Sequence, residues 1–310
     1  MITVLKDTAG DLRPVTEWAP GCWVDAVAPT PDEINQLSHG LRVPREWIDH
    51  ALDLDERARI EREDGALLIV LRLPHHQDPP ADVPYITVPV GILIADGLLA
   101  TVCAVENAVI RSLASGQVRQ LSTAKSNRFL LQLLFAAADK YLDYVREINK
   151  AADKLEGKLQ RSLRNEEVLE LLKHQKSLVY FTTGLKSNEL TLDRLQSSHL
   201  FEKYPEDQEL LADVLTEIQQ ALEMASISEN ILSQMMDAFA SIISNNLNVV
   251  MKFLASMTIL LSLPSLVASI YGMNVGLPLQ QHPQAFVFVM GLSLAISIVV
   301  AIIFWRKDWF

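Results

Sequence analysis

A set of polar and small side chains recurs at helical spacing near the C-terminal end of the sequence. On one continuous helix these residues would share a single face. They are Asp237, Ser241, Ser244, Asn248, Met251, Ala255, Thr258, Ser262, Leu266 and Ser269. Small residues allow helices to pack closely, which accounts for the serines and Ala255. An amide and a carboxylate are costly in apolar surroundings, so Asn248 and Asp237 favour a second interpretation, a water-filled path for cations.

This polar face lies on a long apolar stretch that must position it. Between residues 249 and 270 the only charged residue is Lys252. As a helix that segment is roughly 33 Å long, enough to cross a bilayer. A second uncharged run, residues 285–305, is also long enough to span. The sequence therefore predicts a two-helix transmembrane hairpin at residues 245–310, with spans at about 249–270 and 285–305.

Basic residues predict the orientation of this hairpin. Lys252 lies at the start of the first span, and Arg306 and Lys307 follow the second, whereas residues 272–284 contain no Lys or Arg. Because basic residues are retained on the cytoplasmic side, both termini are expected there. The prediction is a multi-pass protein of the cell (inner) membrane. Since one hairpin encloses no pore, several copies must assemble with the polar face inward.

The preceding sequence predicts an α+β soluble domain with long helices. Strand-like runs dominate residues 1–122, and Asp64-Gly65 and Asp96-Gly97 are typical of two-residue hairpin turns. Thr30-Pro31-Asp32-Glu33 is typical of a helix start. Residues 123–244 form a predicted helical domain and stalk, with helices at 126–161, 165–198 and from Pro205 onward. The sequence Glu202-Lys203-Tyr204-Pro205 marks the break before the last helix. No Pro or Gly occurs from 206 to 263, so the stalk helix should be continuous with the first span.

Composition narrows the function classes. The net charge is −11, with the acidic residues almost entirely before residue 245, which argues against a nucleic-acid partner. An acidic surface is consistent with accumulation of cations, and it is equally consistent with a role in solubility alone. Phosphate-binding glycine loops and the common hydrolase motifs are absent from the sequence, so no enzyme is predicted. Cys22 and Cys103 lie in apolar strand-like runs without metal-ligand spacing and suggest a reducing compartment.

Two other groups of ionisable residues have ordinary interpretations. Asp53, Asp55 and Glu56 stand beside arginines, which favours a salt-bridged turn over a catalytic pair of acids. His75 and His76 fall in a stretch, residues 74–84, that is typical of an exposed loop. Adjacent residues do not share one face, so solvent exposure is favoured over a metal site.

The hairpin also carries motifs that resemble a known family. Tyr271-Gly272-Met273-Asn274, between the two spans, resembles the signature of the CorA family of magnesium and cobalt transporters. Asn248-Val249-Val250-Met251-Lys252 is similar to the family's entry to the first span, and residues 53–61 resemble its acidic-arginine run. The closing Arg306-Lys307-Asp308-Trp309-Phe310 is similar to its basic-aromatic tail. The resemblance is tight from about residue 237 onward and loose before it.

The resemblance implies a homopentamer whose first spans line the pore and whose second spans lie outside. Gly272, Met273 and Asn274, with Tyr271, would form the outer mouth. Asn248 would form a polar ring, Met251 and Leu254 an apolar constriction, and Asp237 an acidic ring at the cytoplasmic end. The implied function is influx of magnesium, and also cobalt.

The resemblance further implies regulation by cytoplasmic magnesium. Asp213 matches the position of a carboxylate that binds a divalent ion between subunits and holds the pore shut. Its partner on the α/β domain does not align with any one residue. Asp78 and Asp82 are candidates, and each is also an ordinary loop acid.

One difference from the family pattern leaves the identity of the transported ion undetermined. Family loops often carry acids after the Asn, whereas residues 275–283 here contain none. Electrostatic attraction at the mouth must then be weak or come from carbonyl dipoles. His282 is compatible with a second hypothesis, in which the chain is a proton-coupled zinc transporter of the same superfamily. A third, of a different class, is a non-conducting membrane-anchored sensor or scaffold, which would need neither Asn248 nor the Gly-Met-Asn loop.

Overall fold

A computed structural model describes residues 1–8, 11–79, 81–116, 118, 121–159, 165–197, 205–278, 282–307 and 309. The strands are β1 (Ile2–Thr8), β2 (Asp11–Pro14), β3 (Cys22–Val27), β4 (Arg59–Glu63), β5 (Ala66–His76), β6 (Tyr85–Ala95) and β7 (Leu98–Cys103). The helices are α1 (Pro31–Leu41), α2 (Arg45–Leu52), α3 (Ala108–Ala114), α4 (Ser126–Leu159), α5 (Asn165–Ser197), α6 (Pro205–Tyr271) and α7 (Ala285–Arg306). This is the predicted α+β domain with long helices and two C-terminal apolar helices.

The seven strands form one mixed sheet in the order β2-β1-β3-β7-β6-β5-β4. Only β3 and β7 pair in parallel among these strands, and the other neighbours are antiparallel. Both predicted Asp-Gly turns are confirmed: Asp64 and Asp96 have φ values of 46° and 48°, followed by glycines at 84° and 74°. Positive φ at both central residues matches the right-handed twist of the flanking strands.

Helices cover both faces of the sheet. On one face, Leu37, Leu41, Trp47 and Ile48 of α1 and α2 pack into a buried apolar cluster with alternate strand residues. On the other face Trp23 lies edge-on to Phe129 of α4, with ring centroids 4.9 Å apart. The period-two alternation of strand side chains therefore places two cores on one sheet.

The capping of α1 is also as predicted. Thr30 accepts a hydrogen bond from the Glu33 N–H at 3.3 Å, while the Glu33 carboxylate accepts one from the Thr30 N–H at 2.8 Å. The two bonds satisfy backbone donors that a helix start leaves without partners. Glu33 also lies 3.2 Å from the N-terminal ammonium group of Met1.

Two expectations for the soluble part need correction or refinement. The exposed loop predicted from residue 74 begins later, because β5 continues through His76 and pairs His75 with Ile86 and His76 with Tyr85. The long partner strand β6 supplies backbone hydrogen bonds that local sequence does not reveal. His75 is half-buried, and desolvation lowers its pKa. In the predicted salt-bridged turn, Glu56 pairs with Arg59 at 3.6 Å.

Helix α6 contributes to both compact units of the chain, residues 1–236 and 237–310. In the first unit, Arg128 of α4 forms ion pairs with Glu206 at 2.7 Å and with buried Asp207 at 3.0 Å. Along α6, buried side chains follow at intervals of three and four residues, the spacing of a helix-packing seam: Leu211, Val214, Ile218, Ala221, Ala225, Ser228 and Leu232. Of the predicted break at residues 202–205, the first three residues lie outside the described residues and Pro205 begins α6. The limits of the three domains inferred from the sequence stay a prediction.

Candidate functional site

The predicted polar face lies on α6, and its side chains are solvent-exposed in the isolated chain. Exposed members include Asp237, Asn248, Met251, Thr258 and Ser262, and Leu254 beside them is also exposed. The hydroxyl of Thr258 donates to the Leu254 carbonyl at 2.8 Å, and that of Ser262 donates to the Ile259 carbonyl at 2.9 Å. With their protons used inside the helix, the two hydroxyl oxygens can still accept hydrogen bonds from outside it.

The opposite side of this part of α6 packs against α7. Ser256 of α6 and Ser293 of α7 are buried, at 0% and 3% exposure. A groove of about 380 Å³ between the helices is lined by Val267 and Tyr271 of α6 and Val289 of α7, among others. At 100° per residue, the polar face points about 130° away from the face that contacts α7. The second helix therefore leaves the polar face uncovered.

The turn that follows α6 presents the predicted Gly-Met-Asn residues to solvent. The Gly272 N–H donates to the Ala268 carbonyl at 2.9 Å, and the Met273 N–H donates to the Ile270 carbonyl at 3.3 Å. The Tyr271 hydroxyl reaches the Pro278 carbonyl at 3.5 Å. Met273 and Asn274 are exposed. The Asn274 amide thus lies in a short turn anchored to the end of the helix, where its oxygen can face an ion or its water shell.

Asp213, the predicted regulatory residue, is exposed on α6 in the first compact unit. Within the described ranges no group of three or more His, Cys, Asp or Glu side chains converges into a metal site. Of the two candidate partners, Asp78 is exposed and Asp82 pairs with Lys176 at 3.6 Å. Neither forms, with Asp213, a group of three or more metal-ligating side chains among the described residues.

Two charged side chains that are partly buried in the sheet were not singled out from the sequence. Asp25 accepts a hydrogen bond from Thr101 at 2.8 Å, and Thr101 accepts one from the Trp23 indole N–H at 2.8 Å. Desolvation raises the pKa of Asp25 to about 6. Arg72 lies in the middle of β5, where burial lowers its pKa. Each interrupts an apolar strand run, which is the signal that could have identified them.

Two helices, α6 and α7, are long and apolar enough to cross a membrane, in agreement with the predicted spans. A model of the family described as CorA-like Mg²⁺ transporter protein matches residues 19–307. The chain belongs to this family. Membership in the CorA-like family assigns the chain to divalent-cation transport and not to an enzymatic reaction.

Comparison with individual relatives supports this family assignment. The cobalt/magnesium transport protein CorA of Methanocaldococcus jannaschii is 27% identical over 297 residues, covering 93% of this chain and 90% of the relative. The complete structure of the CorA magnesium transporter from that organism has a TM-score of 0.85 at 25% identity, covering 100% of this chain and 99% of the other. The cytoplasmic domain of ZntB from Vibrio parahaemolyticus is similar in fold alone, with a TM-score of 0.53 and 16% identity over 76% of this chain and 98% of that domain.

Proposed function

We propose that this chain is one subunit of a homopentameric pore that admits magnesium, and also cobalt, into the cell. The observation that carries the proposal is the uncovered polar face of α6, which ends at the exposed Gly-Met-Asn turn. In a single chain this face would put Asn248 and its neighbours against lipid at considerable cost. Assembly with the α6 face inward and α7 outward removes that cost and creates a water-filled path.

The residue types of this path suit a hydrated ion. Magnesium gives up its water ligands reluctantly and prefers oxygen ligands. Rings of Asn274 and Asn248 would accept hydrogen bonds from the ion's water shell without the strong attraction of a carboxylate ring. Residues 272–284 contain no Asp or Glu, so attraction at the outer mouth would come from carbonyl and amide dipoles. Met251 and Leu254 would narrow the path, and Asp237 would gather cations at its cytoplasmic end.

The first test is flux into proteoliposomes with Mg²⁺, Co²⁺ or Zn²⁺ outside, with and without a pH gradient. We expect Mg²⁺ and Co²⁺ entry that is indifferent to the gradient and is strongly reduced in Asn274→Ala and in Asn248→Ala. The matched control is Asn246→Ala, because Asn246 is also exposed on α6 but lies about 170° round the helix from the polar face. That control should conduct like the native protein.

The same assay distinguishes the competing functions. Zn²⁺ flux that follows the pH gradient would replace the magnesium proposal with a proton-coupled zinc transporter. No flux of any ion, from intact oligomers without internal Mg²⁺, would favour a membrane-anchored sensor. His282 carries little weight for zinc, since its ring packs at 5.8 Å from Phe288 and its Nδ1 accepts the Gln284 N–H at 3.2 Å.

Regulation by cytoplasmic magnesium is the second part of the proposal. Asp213 is exposed, and among the described residues it belongs to no group of three or more His, Cys, Asp or Glu side chains that could hold a metal ion. A divalent ion held between Asp213 and an acid of an adjacent subunit would stabilise the closed assembly and give feedback inhibition. Calorimetry should show fewer bound Mg²⁺ ions in Asp213→Ala than in the native protein. Unchanged binding would remove Asp213 from the mechanism while leaving the pore proposal intact.

A further inference from the structure

A cavity of about 660 Å³ lies in the first compact unit, between α5 and the loop that precedes β4. We call it the Arg72 pocket, because the Arg72 side chain of β5 forms part of its wall. Arg57, Tyr180 and Lys186 also line it. Its volume falls in the range of small-molecule sites. None of the proposed pore residues contributes to it.

The Arg72 guanidinium forms no ion pair with any described carboxylate, although the charges of Asp55 and Glu56 act on it from a greater distance. Its Nη1 donates to the carbonyls of Leu54 and Glu56, both at 2.8 Å. Its Nε and Nη2 donate to the hydroxyl and the carbonyl of Thr87, at 3.2 and 2.5 Å. All four partners are neutral, and in the described part of the chain no carboxylate oxygen lies within 4 Å of it. The guanidinium is thus held rigidly, half-buried and without a bonded counter-charge.

Two further cations line the same cavity. Arg57 and Lys186 are exposed, and neither forms an ion pair with any described residue. Asp55 and Glu56 are the carboxylates of the lining, and Glu56 is already engaged by Arg59 from outside the cavity at 3.6 Å. Three cations against two carboxylates give the pocket a positive balance, although the chain as a whole has a net charge of −11. This local reversal of charge points to an anionic ligand.

Most of the remaining wall comes from α5 and includes large apolar and aromatic side chains. Tyr180 and Leu190 line it with 45% and 57% of their surface exposed. Thr183 and Ser187 add hydroxyl groups on the same helix. An aromatic ring beside a cationic cluster suits a ligand that has both an anionic group and a planar or apolar body.

We propose that the Arg72 pocket binds a small organic phosphate, with its phosphate between Arg57 and Lys186 and its body against Tyr180. Arg and Lys are the side chains best suited to phosphate oxygens. Arg72, whose donors are already used, would contribute its electric field rather than direct bonds. The ligand class includes nucleotides and sugar phosphates, which share this chemistry.

The test is isothermal titration calorimetry of the full chain in detergent with AMP, ribose 5-phosphate, inorganic phosphate and adenosine. EDTA is present, so that divalent ions bound elsewhere do not contribute. We expect at least one of the two organic phosphates to bind more tightly than inorganic phosphate, and adenosine not to bind. In Arg57→Ala/Lys186→Ala that affinity should fall by roughly tenfold or more, because charge-assisted contacts are lost.

The matched control is Lys150→Ala/Lys154→Ala, which removes two exposed cations of α4 outside the pocket and should leave affinity unchanged. Tyr180→Ser should weaken the binding of the organic phosphate and leave the binding of inorganic phosphate unchanged. Adenosine binding as tight as that of the organic phosphates, equal losses in the two double variants, or no binding of either organic phosphate would overturn the proposal. The measurement needs no ion gradient, so its outcome is independent of whether the chain conducts magnesium.

Discussion

At the scale of single residues, Asp25 is expected to make stability depend on pH. Its ordinary pKa of 3.8 is raised to about 6 in the folded chain, chiefly by desolvation. Above pH 6 the carboxylate is charged in both the folded and unfolded states, and its burial lowers stability. As the pH falls through 6 the folded chain takes up the proton first, so this destabilisation is progressively relieved, and it is absent below the unfolded pKa.

Asp25→Asn should therefore raise the free energy of unfolding at neutral pH, on the order of 1–2 kcal/mol, because the amide keeps an acceptor for Thr101 without the charge. The gain should vanish at about pH 4. Tryptophan fluorescence melts in detergent would report it, since Trp23 lies in the same hydrogen-bonded chain. Asp153→Asn, an exposed substitution on α4, is the control. An equal gain at both pH values would contradict this account.

At the scale of secondary-structure elements, the contact between α5 and the sheet depends on one glycine. A Cβ added to Gly184 would lie 2.9 Å from both Thr87 Cγ2 and the Tyr141 hydroxyl, and 3.4 Å from Arg72 Cβ. Both 2.9 Å distances are too short for van der Waals contact, so either the Thr87 and Tyr141 side chains or α5 itself would have to shift. Gly184→Ala should destabilise the chain by about 1–3 kcal/mol.

Gly157→Ala supplies the opposite case within α4. Nothing lies within 4 Å of the position where its Cβ would be added. In a helix interior, alanine is favoured over glycine by roughly 0.5–1 kcal/mol. Thermal melts should therefore move in opposite directions for the two variants. Stabilisation by both substitutions would mean that helix propensity, and not packing on the sheet, decides the effect at Gly184.

A second prediction at this scale concerns which face of the C-terminal part of α6 is accessible to water. Thr258→Cys should react with a charged, membrane-impermeant thiol reagent, because Thr258 lies on the face assigned to the aqueous path. Ser256→Cys, at a buried position, and Met257→Cys, exposed on the side assigned to lipid, should not react. The background is low because native Cys22 and Cys103 are both buried. If Met257→Cys were labelled in preference to Thr258→Cys, the pore face would have to be reassigned to the side of α6 that carries Met257.

Local chemistry was enough to predict several of these elements from the sequence. The Asp-Gly turns, the Thr30 capping box and the long apolar helices each depend on residues close together in the chain. By contrast, the extension of β5 through His76 depends on its partner strand β6. The same holds for Arg72, whose partners in loop and strand are 15 to 18 residues away, and for Asp25, whose partner Thr101 is 76 residues away. Pairing at that distance is decided by the tertiary fold.

At the scale of the whole molecule, the proposed pore exists only between copies of the chain. The residues of the polar face could be predicted because helical periodicity brings them together. The outer ends of the path could be recognised from the Gly-Met-Asn turn. A single chain contributes one side chain to each proposed ring, so neither periodicity nor the fold of one copy gives the ring size. The number of copies therefore has to be measured by an experiment in which every subunit of one assembly affects the result.

Mixing subunits provides that measurement. In Asn248→Arg a fixed positive charge would enter the proposed polar ring, and one such subunit should repel cations strongly enough to block the pore. If five copies share one path, co-expression of equal amounts of native and variant chains would leave only about 3% of assemblies free of the variant. The total flux should then fall to a similar fraction of the flux given by the same total amount of native chains alone. Asn246→Arg, on the opposite side of α6, should leave flux high in the same mixture. A fall to only about half with Asn248→Arg would mean that each chain conducts independently, and the shared pore would have to be abandoned.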